Sequence, residues 1–416
     1  MVFVYMLQFI FGLIVWMIRS AFMSIYLFFA GPPVGTVVCI HCSEPMHFRT
    51  DATLNDQGVV SSVVWSEDGK YLAIGHSQET KIDIYDTKNW NLIGSIIGQE
   101  PSQHSLARFI DNNQDLILPR DTGAPNGLPL FDNNVSVVKW NIVKHTVDKK
   151  FYTSFSNDKN SFEFSKPFTP DFIARASKAA AVAASADGRY VAASVATGVI
   201  IYASETAQVI QNIKCADHFV SSIEPYTLRY NAPDAIAFNP ENTQVLLGDC
   251  DTNYVSAYDI NSRNLIYRAS VRYQGGGDVL AYSSDGTLIA VGSSGVDGGK
   301  LTIIRASDGS IVGSSPNESA DISNVQWLPG RSLVLVSYDA LYGVNWDTGA
   351  SLEYTNKSDA RIWDAKTLSL VAEFRGSQLG AAAFSPDGKQ LAIGSSTDNQ
   401  PLGKPLIGSV LVGTIN

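Results

Sequence analysis

SPDGKQLAIG, residues 385–394, is the clearest copy of a pattern that recurs along this chain. Three further copies are SEDGKYLAIG from Ser66, SADGRYVAAS from Ser185 and SSDGTLIAVG from Ser283. Each copy places Asp-Gly before an apolar run, and glycine readily adopts the positive φ that a tight hairpin turn demands. Self-similarity of this kind is the signature of a repeat architecture. The pattern therefore predicts a series of β-hairpins.

The number of copies predicts the number of sheets. Three weaker copies fill the gaps: DNN at 111–113, NPEN at 239–242 and PG at 329–330. In three units a third strand ends in an aromatic residue followed by aspartate: Tyr85-Asp86, Tyr258-Asp259 and Trp363-Asp364. Each unit reads as four short antiparallel strands. Seven such units predict an all-β, seven-bladed β-propeller with four-stranded antiparallel blades.

The two ends of the chain predict how the ring closes. The last unit has strands near residues 379–384, 391–394 and 409–415, which leaves it without a fourth strand. Residues 46–52 precede the first unit and have no other predicted partner. We expect them to complete the last blade, because closure pairs the edges that an open sheet would expose.

Two sequence segments resemble the WD-repeat β-propeller family. They are RIWDAKTLSLVAEFRG and AAAFSPDGKQLAIGSS, within residues 361–396, and the resemblance extends from about residue 45 to the end. It implies the propeller fold. The Gly-His pair that usually begins a repeat is absent at the expected places, and Gly75-His76 follows a second strand instead. We therefore expect the blades to depend on apolar packing rather than on the family's Asp-His-Ser/Thr-Trp network.

The beginning of the chain predicts a membrane anchor. Residues 2–18 are almost entirely apolar, Arg19 and Ser20 interrupt them, and a second apolar stretch covers 21–30. A helix over 2–30 would be about 43 Å long, which exceeds the roughly 30 Å hydrocarbon core. We assign residues 1–44 to the anchor and its linker, and residues 45–416 to the propeller. A cleaved signal peptide ending at Ala30 and a buried core helix are the alternatives.

The predicted side of the membrane on which the propeller lies depends on one arginine. If residues 2–18 span the bilayer, Arg19 places the propeller in the cytoplasm by the positive-inside rule. If residues 21–40 span it, the same arginine places the propeller outside. The first arrangement is slightly favoured, and the propeller should then be N-terminally anchored on the cytoplasmic side.

Composition excludes several classes of function. The formal net charge is −10 and there is no run of Lys or Arg, so nucleic acid is not an expected partner. Cys39 and Cys42 form a lone CxxC; they are candidate metal ligands, with incidental thiols or one disulfide as the alternatives. None of the six histidines shows metal-ligand spacing, and no nucleophile elbow or phosphate-binding loop occurs. We expect no cofactor and no catalysis.

Long insertions should lie on one face of the ring. Loops that join strands one to two and three to four are short, whereas the other links contain the insertions near 119–133, 152–177, 214–232, 338–359 and 396–405. One-sided elaboration is typical of a binding face, although longer loops could simply be tolerated there. Aromatic residues in these insertions are the candidate interaction residues: Phe155, Phe162, Phe164, Phe168, Phe172, Tyr226, Tyr230, Tyr338 and Tyr342.

These patterns predict a non-catalytic, membrane-anchored interaction or scaffold propeller that is a subunit of a membrane protein complex. Its expected partners are other proteins, chiefly membrane proteins, and the lipid bilayer through residues 2–30. Because residues 46–52 should run from the short-turn face, we expect that face to lie towards the bilayer. The alternative is a secreted or periplasmic propeller, either a hydrolase- or lactonase-like enzyme or a small-ligand binder, with a cleaved signal peptide.

Overall fold

The fold follows from a computed structural model of the chain. It describes residues 36–40, 47–57, 60–76, 81–97, 108–110, 113–119, 135–152, 181–195, 198–214, 233, 235–248, 254–271, 279–293, 299–318, 322–338, 343–345, 350–352, 358–375, 381–397 and 407–415. The described residues form seven antiparallel sheets of four or five strands, which are the blades of a β-propeller, and one separate two-stranded sheet. The predicted fold class and the predicted number of blades are confirmed.

The strands are numbered along the chain and grouped by blade from the axis outwards. Two strands precede the first blade: β1 (Thr36–Cys39) and β2 (Phe48–Gln57). Blade 1 contains β3 (Val60–Trp65), β4 (Tyr71–His76), β5 (Lys81–Asp86) and β6 (Asn91–Ile97). Blade 2 contains β7 (Arg108–Ile110), β8 (Asp115–Pro119), β9 (Val135–Asn141) and β10 (Thr146–Tyr152). Blade 3 contains β11 (Val182–Ala184), β12 (Tyr190–Val195), β13 (Gly198–Ala203) and β14 (Val209–Lys214).

The remaining blades follow the same order. Blade 4 contains β15 (Ala235–Phe238), β16 (Gln244–Gly248), β17 (Tyr254–Asp259) and β18 (Leu265–Ser270). Blade 5 contains β19 (Val279–Tyr282), β20 (Leu288–Ser293), β21 (Lys300–Arg305) and β22 (Ile311–Ser314). Blade 6 contains β23 (Ile322–Trp327), β24 (Leu333–Tyr338), β27 (Ser358–Asp364) and β28 (Leu370–Arg375), with an inserted hairpin of β25 (Gly343–Asn345) and β26 (Ala350–Leu352). Blade 7 contains β29 (Ala382–Phe384), β30 (Gln390–Thr397) and β31 (Ile407–Ile415), followed by β2.

Apolar clusters between neighbouring blades hold the ring together. Each blade packs between two others, so both faces of its second strand are buried, as Leu116, Ile117 and Leu118 show. Between blades 7 and 1, Val410 and Leu72 belong to one cluster, and similar clusters fill the other interfaces. Full burial of one such side chain contributes roughly 1.5–3 kcal/mol. Apolar packing is therefore present at all seven blade interfaces, as expected.

Closure of the ring agrees with the sequence. β2 pairs antiparallel with β31 from Phe48 opposite Ile415 to Gln57 opposite Ile407, so the predicted closure of the last blade is confirmed, with the strand at 48–57 instead of 46–52. The indole nitrogen of Trp65 in blade 1 donates to the carbonyl of Ala383 in blade 7 at 3.0 Å. This bond joins the first and last blades near the axis.

Each turn between a first and a second strand contains one residue with positive φ. They are Gly69, Asn113, Gly188, Asn242, Gly286, Gly330 and Gly388, one in each blade. Asparagine replaces glycine in two of the weaker copies, because it tolerates the left-handed conformation better than other side chains. All seven predicted turns are thus confirmed, including those that lack Asp-Gly.

β1 is a strand that the sequence pattern did not indicate. It pairs antiparallel with β28, from Thr36 opposite Arg375 to Cys39 opposite Ala372, and makes blade 6 five-stranded. Residues 36–39 therefore belong to the propeller sheet and not to the linker assigned to 1–44. The β-branched segment TVV favours a strand, but in the sequence it reads as the end of the preceding apolar stretch.

The predicted anchor helix over residues 2–30 lies outside the described residues. Among the residues that the structure describes, there is no helix long and apolar enough to cross a bilayer.

Candidate interaction face

The two faces of the ring differ in the length of their links. On one face, here the short-turn face, first strands join second strands and third strands join fourth strands, through at most five residues. On the opposite face, here the elaborated face, the links range from two residues, as at 58–59 and 196–197, to long links at residues 98–107, 120–134, 153–181, 215–234 and 339–357. The strand bounds thus confirm the predicted one-sided distribution of insertions.

Most of the predicted interaction residues are outside the part of the chain that the structure describes. They are Phe155, Phe162, Phe164, Phe168, Phe172, Tyr226, Tyr230 and Tyr342. Tyr338 is described, and it is only 4% exposed. Its ring packs within the cluster between blades 5 and 6, because the last position of this strand points at the preceding blade. Tyr338 therefore lies beneath the elaborated face and does not offer a contact surface.

A buried ion-pair cluster lies at the elaborated side of blade 6. Arg361 on β27 forms ion pairs with Glu318, which lies in the link from blade 5, and with Glu373 on β28 at 3.3 Å. The guanidinium also lies 5.3 Å from the centre of the Tyr338 ring. Burial alone would lower the pKa of Arg361, but Tyr338 and Glu318 raise it above its ordinary value. The cluster fixes the link that carries the exposed Asn317 to the outer strands of blade 6.

Blade 1 has a second buried polar cluster at the matching position. Asp83 on β5 lies 3.3 Å from the Nε2 atom of His76 and 3.1 Å from the Nζ atom of Lys81, and it accepts a hydrogen bond from Ser95. Burial would raise the pKa of Asp83, but these three partners lower it well below its ordinary range. The cross-strand pairs Asp83–Ser95 and Arg361–Glu373 share the same register within their blades.

The described clusters are sealed from solvent. His76 is 0% exposed, and Asp83 is likewise buried, so a substrate has no direct approach to this His-Asp pair. Among the described residues there is no group of three or more His, Cys, Asp or Glu side chains that could hold a metal ion. These clusters have a structural role. Their opposite charges neutralise one another, and the pair of Arg361 with Glu318 attaches the link from blade 5 to blade 6.

Cys39, a candidate metal ligand in the sequence, takes part in a disulfide bond. A disulfide sulfur is not a thiolate and cannot ligate zinc as one. Of the alternatives for this cysteine, the structure contains the disulfide. Cys42 lies outside the described residues.

The direction of β1 shows at which face the chain enters the ring. β28 runs from the short-turn face to the elaborated face, and β1 is antiparallel to it. Thr36 therefore lies at the elaborated side, where residues 1–35 join the ring. The expectation that the short-turn face lies towards the bilayer assumed that β2 is the first strand of the propeller, and this premise is wrong, because β1 precedes it.

The sequence did not indicate that Glu318, Arg361 and Glu373 form one ion-pair cluster. Glu318 and Arg361 are far apart in the sequence, and their pairing depends on the packing of blade 5 against blade 6. In blade 1, the alternating segment KIDIYD was a local signal for a buried Asp83, because Asp83 alternates with buried isoleucines. Its partner His76 was noted only as a departure from the WD-repeat pattern.

Comparison with protein-family models and with curated proteins finds no match to this chain.

Proposed function

We propose that this chain is a non-catalytic interaction propeller that binds partner proteins through its elaborated face. The observation that carries the proposal is the one-sided length distribution of the links: on the short-turn face they have at most five residues, apart from residues 40–47 between β1 and β2. Random drift would lengthen links on both faces, whereas binding sites of repeat proteins gather on one. The chain also resembles WD repeats, because Asp86, Asp259 and Asp364 follow an aromatic residue at the ends of third strands. This resemblance supports a role in binding partner proteins.

The partner in this proposal is a membrane protein. Residues 2–30 would anchor the chain in the bilayer, and β1 starts at the elaborated side of blade 6. A short tether from that side would place the elaborated face towards the membrane. Partners embedded in the same bilayer would then meet the long links, while the short-turn face would point away.

The disulfide of Cys39 supports a location outside the cytoplasm. Disulfides persist in oxidising compartments and are rare where glutathione and thioredoxin keep thiols reduced. A disulfide depends on the redox state of the compartment more directly than the single Arg19, which favoured the cytoplasmic side, reports on membrane orientation. A membrane-impermeant maleimide applied to unreduced cells should leave Cys39 unlabelled, and labelling after reduction of intact cells should be strong. Labelling that requires membrane permeabilisation would place the propeller in the cytoplasm.

A secreted propeller with a cleaved signal peptide is a second candidate, which the same disulfide also favours. The intact mass of the purified chain separates the two: loss of about thirty residues indicates a cleaved signal peptide, as signal peptides have this length. A full-length mass supports the anchor.

Photo-cross-linking from one residue on each face tests the proposal directly. A photo-reactive amino acid at Asn317 reports on the elaborated face, and the matched control at Lys389 reports on the short-turn face. After irradiation in mild detergent, we expect a protein adduct from Asn317 and none from Lys389. Adducts from Lys389 alone would contradict the choice of face, and equal adducts from both would remove the evidence for one-sided binding.

A further inference from the structure

Cys39 lies at the outer edge of blade 6. It is the last residue of β1, the fifth strand of that blade from the axis, and it lies opposite Ala372 of β28. The next residue, Ile40, donates its backbone N–H to the carbonyl of Val371 at 2.9 Å. Val37 packs against the cluster between blades 6 and 7, whereas Cys39 and Ile40 are exposed. One end of the disulfide is therefore at an exposed edge of the ring.

The other end of this disulfide is identified by distance. Three further cysteines occur in the chain, all outside the described residues: Cys42, Cys215 and Cys250. Cys215 directly follows β14 of blade 3, and Cys250 is two residues beyond the end of β16 in blade 4. Blade 5 packs between blades 4 and 6. Because packed sheets lie about 10 Å apart, blade 4 is separated from blade 6 by about 20 Å.

Of the three cysteines, Cys42 alone is within reach of Cys39. The Cα atoms of a disulfide are at most about 7 Å apart, and two residues of chain span no more than about 7 Å. Cys250 therefore cannot close a gap of about 20 Å, and Cys215 follows a blade that is one step further away. Cys42 is three residues beyond Cys39, so the bridge closes the C-x-x-C segment Cys39-Ile40-His41-Cys42.

Such a bridge is better suited to exchange than to stabilisation. It closes a loop of only four residues, and short loops remove little entropy from the unfolded chain. Both cysteines belong to one short segment, so the bridge does not tie one blade to another. Exposed disulfides are the more easily reduced ones, and cysteines at C-x-x-C spacing form thiolates readily once they are reduced.

We infer that Cys39 and Cys42 form an exchangeable disulfide that accepts two electrons from the dithiol of a partner protein. A disulfide is cleaved by a thiolate, and a second thiol on the same partner completes the transfer without a further encounter. Ile40, which is 41% exposed, offers an apolar contact beside Cys39. The exchange requires neither an anchor nor a partner on the elaborated face.

The exchange has two steps and balances. A thiolate of the partner attacks the Sγ atom of Cys39, which forms a mixed disulfide and releases Cys42 as a thiolate. The second thiolate of the partner then attacks the partner's sulfur in the mixed disulfide, and Cys39 leaves as a thiolate. The two protons lost by the partner's thiols are matched by those that Cys39 and Cys42 take up. The partner ends with a disulfide, and each propeller reacts once.

Thiol labelling tests the pairing. Maleimide is applied to the unreduced, full-length chain in detergent, and labelled cysteines are identified by peptide mass spectrometry. Cys39 should be labelled in Cys42→Ser, and it should stay unlabelled in the wild type and in the matched controls Cys215→Ser and Cys250→Ser. Labelling of Cys39 in either control would show that the bridge reaches another blade, and would overturn the inference.

Reduction of the folded chain tests the exchange. Reduced thioredoxin serves as the protein dithiol, and reduced glutathione at the same thiol concentration is the monothiol control. Without denaturant, thioredoxin should make Cys39 and Cys42 available to maleimide about tenfold faster or more than glutathione does, because its second thiol acts within the mixed disulfide. Reduction only after unfolding in urea, or equal rates with the two reagents, would contradict a dithiol exchange site. The cross-linking from Asn317 does not depend on this result, so the two proposals can fail separately.

Discussion

The short-turn face and the elaborated face are stabilised in different ways. On the short-turn face, the hydrogen bonds of a turn are largely local: Ser66, for example, donates to Asp68 and accepts from the backbone nitrogen of Tyr71, although the backbone nitrogen of Glu67 donates to Asn113 in the next blade. On the elaborated side, stability comes from contacts between distant residues, such as those of Arg361 with Glu318. The local turns are repeated in all seven blades, whereas the buried ion pairs of the elaborated side are described in blades 1 and 6. The elaborated side therefore differs more from blade to blade than the short-turn face does.

The largest expected effect comes from breaking the cluster in blade 6. Arg361→Leu should lower the free energy of unfolding by about 3–5 kcal/mol, because two glutamates remain buried without their cation. Urea denaturation measures the loss. The matched control Lys70→Leu, on the short-turn face, should have no measurable effect, since Lys70 and Asp68 form a solvent-exposed pair.

A triple variant sharpens this comparison. Replacement of Arg361, Glu318 and Glu373 by leucine should restore most of the lost stability, because apolar residues of similar volume can replace a buried ion pair. If Arg361→Leu is as stable as the wild type, the cluster does not stabilise the elaborated side.

A single turn should matter less. Gly330 has φ of 69°, and a Cβ atom added there would meet no other atom within 4 Å. Gly330→Ala should therefore lower the free energy of unfolding by about 1–2 kcal/mol through backbone conformation alone. Gly330→Asn should be milder, because Asn113 and Asn242 adopt the same conformation. Equal losses in both variants would contradict this account of the turns.

The smallest expected effect is a change in acid stability at one turn. A hydrogen bond from Ser283 and bonds from Thr287 lower the pKa of Asp285. Its folded-state pKa is below the unfolded value, so its contribution is present above the unfolded pKa, about 3.9, and is lost as pH falls through the folded pKa. Asp285→Asn should therefore be less stable than wild type at pH 6, and the difference should shrink by pH 2. A difference independent of pH would exclude the carboxylate as its cause.

Most of the fold was predictable because its signals are local. The turns at Asp68, Asp187, Asp285 and Asp387 can be read directly from the sequence, since each side chain bonds within a few residues of its own position. In two of the weaker copies, Asn113 and Asn242 replace glycine as the residue with positive φ, so the turn can still be recognised from the sequence. The missed strand β1 has only four residues and follows a long apolar stretch, so local composition did not separate the two.

Less of the candidate site could be predicted. Tyr338 was selected for its residue type and its place before a long insertion, yet it is the last residue of a strand that points at the preceding blade. The orientation of the faces depended on knowing which strand comes first, and β1 was not recognised. Both errors concern packing between elements that are distant in sequence.

The sequence by itself determined the seven turns, the order of the strands and the segment that closes the ring. These features depend on residues within a few positions of one another and on a period that the chain repeats. Only the tertiary structure decided which charges meet inside the blades, that β1 belongs to blade 6, and at which face the N-terminal segment joins the ring. The reason is physical: such contacts form between segments that the closure of the ring brings together, and local propensity contains no information about those distances.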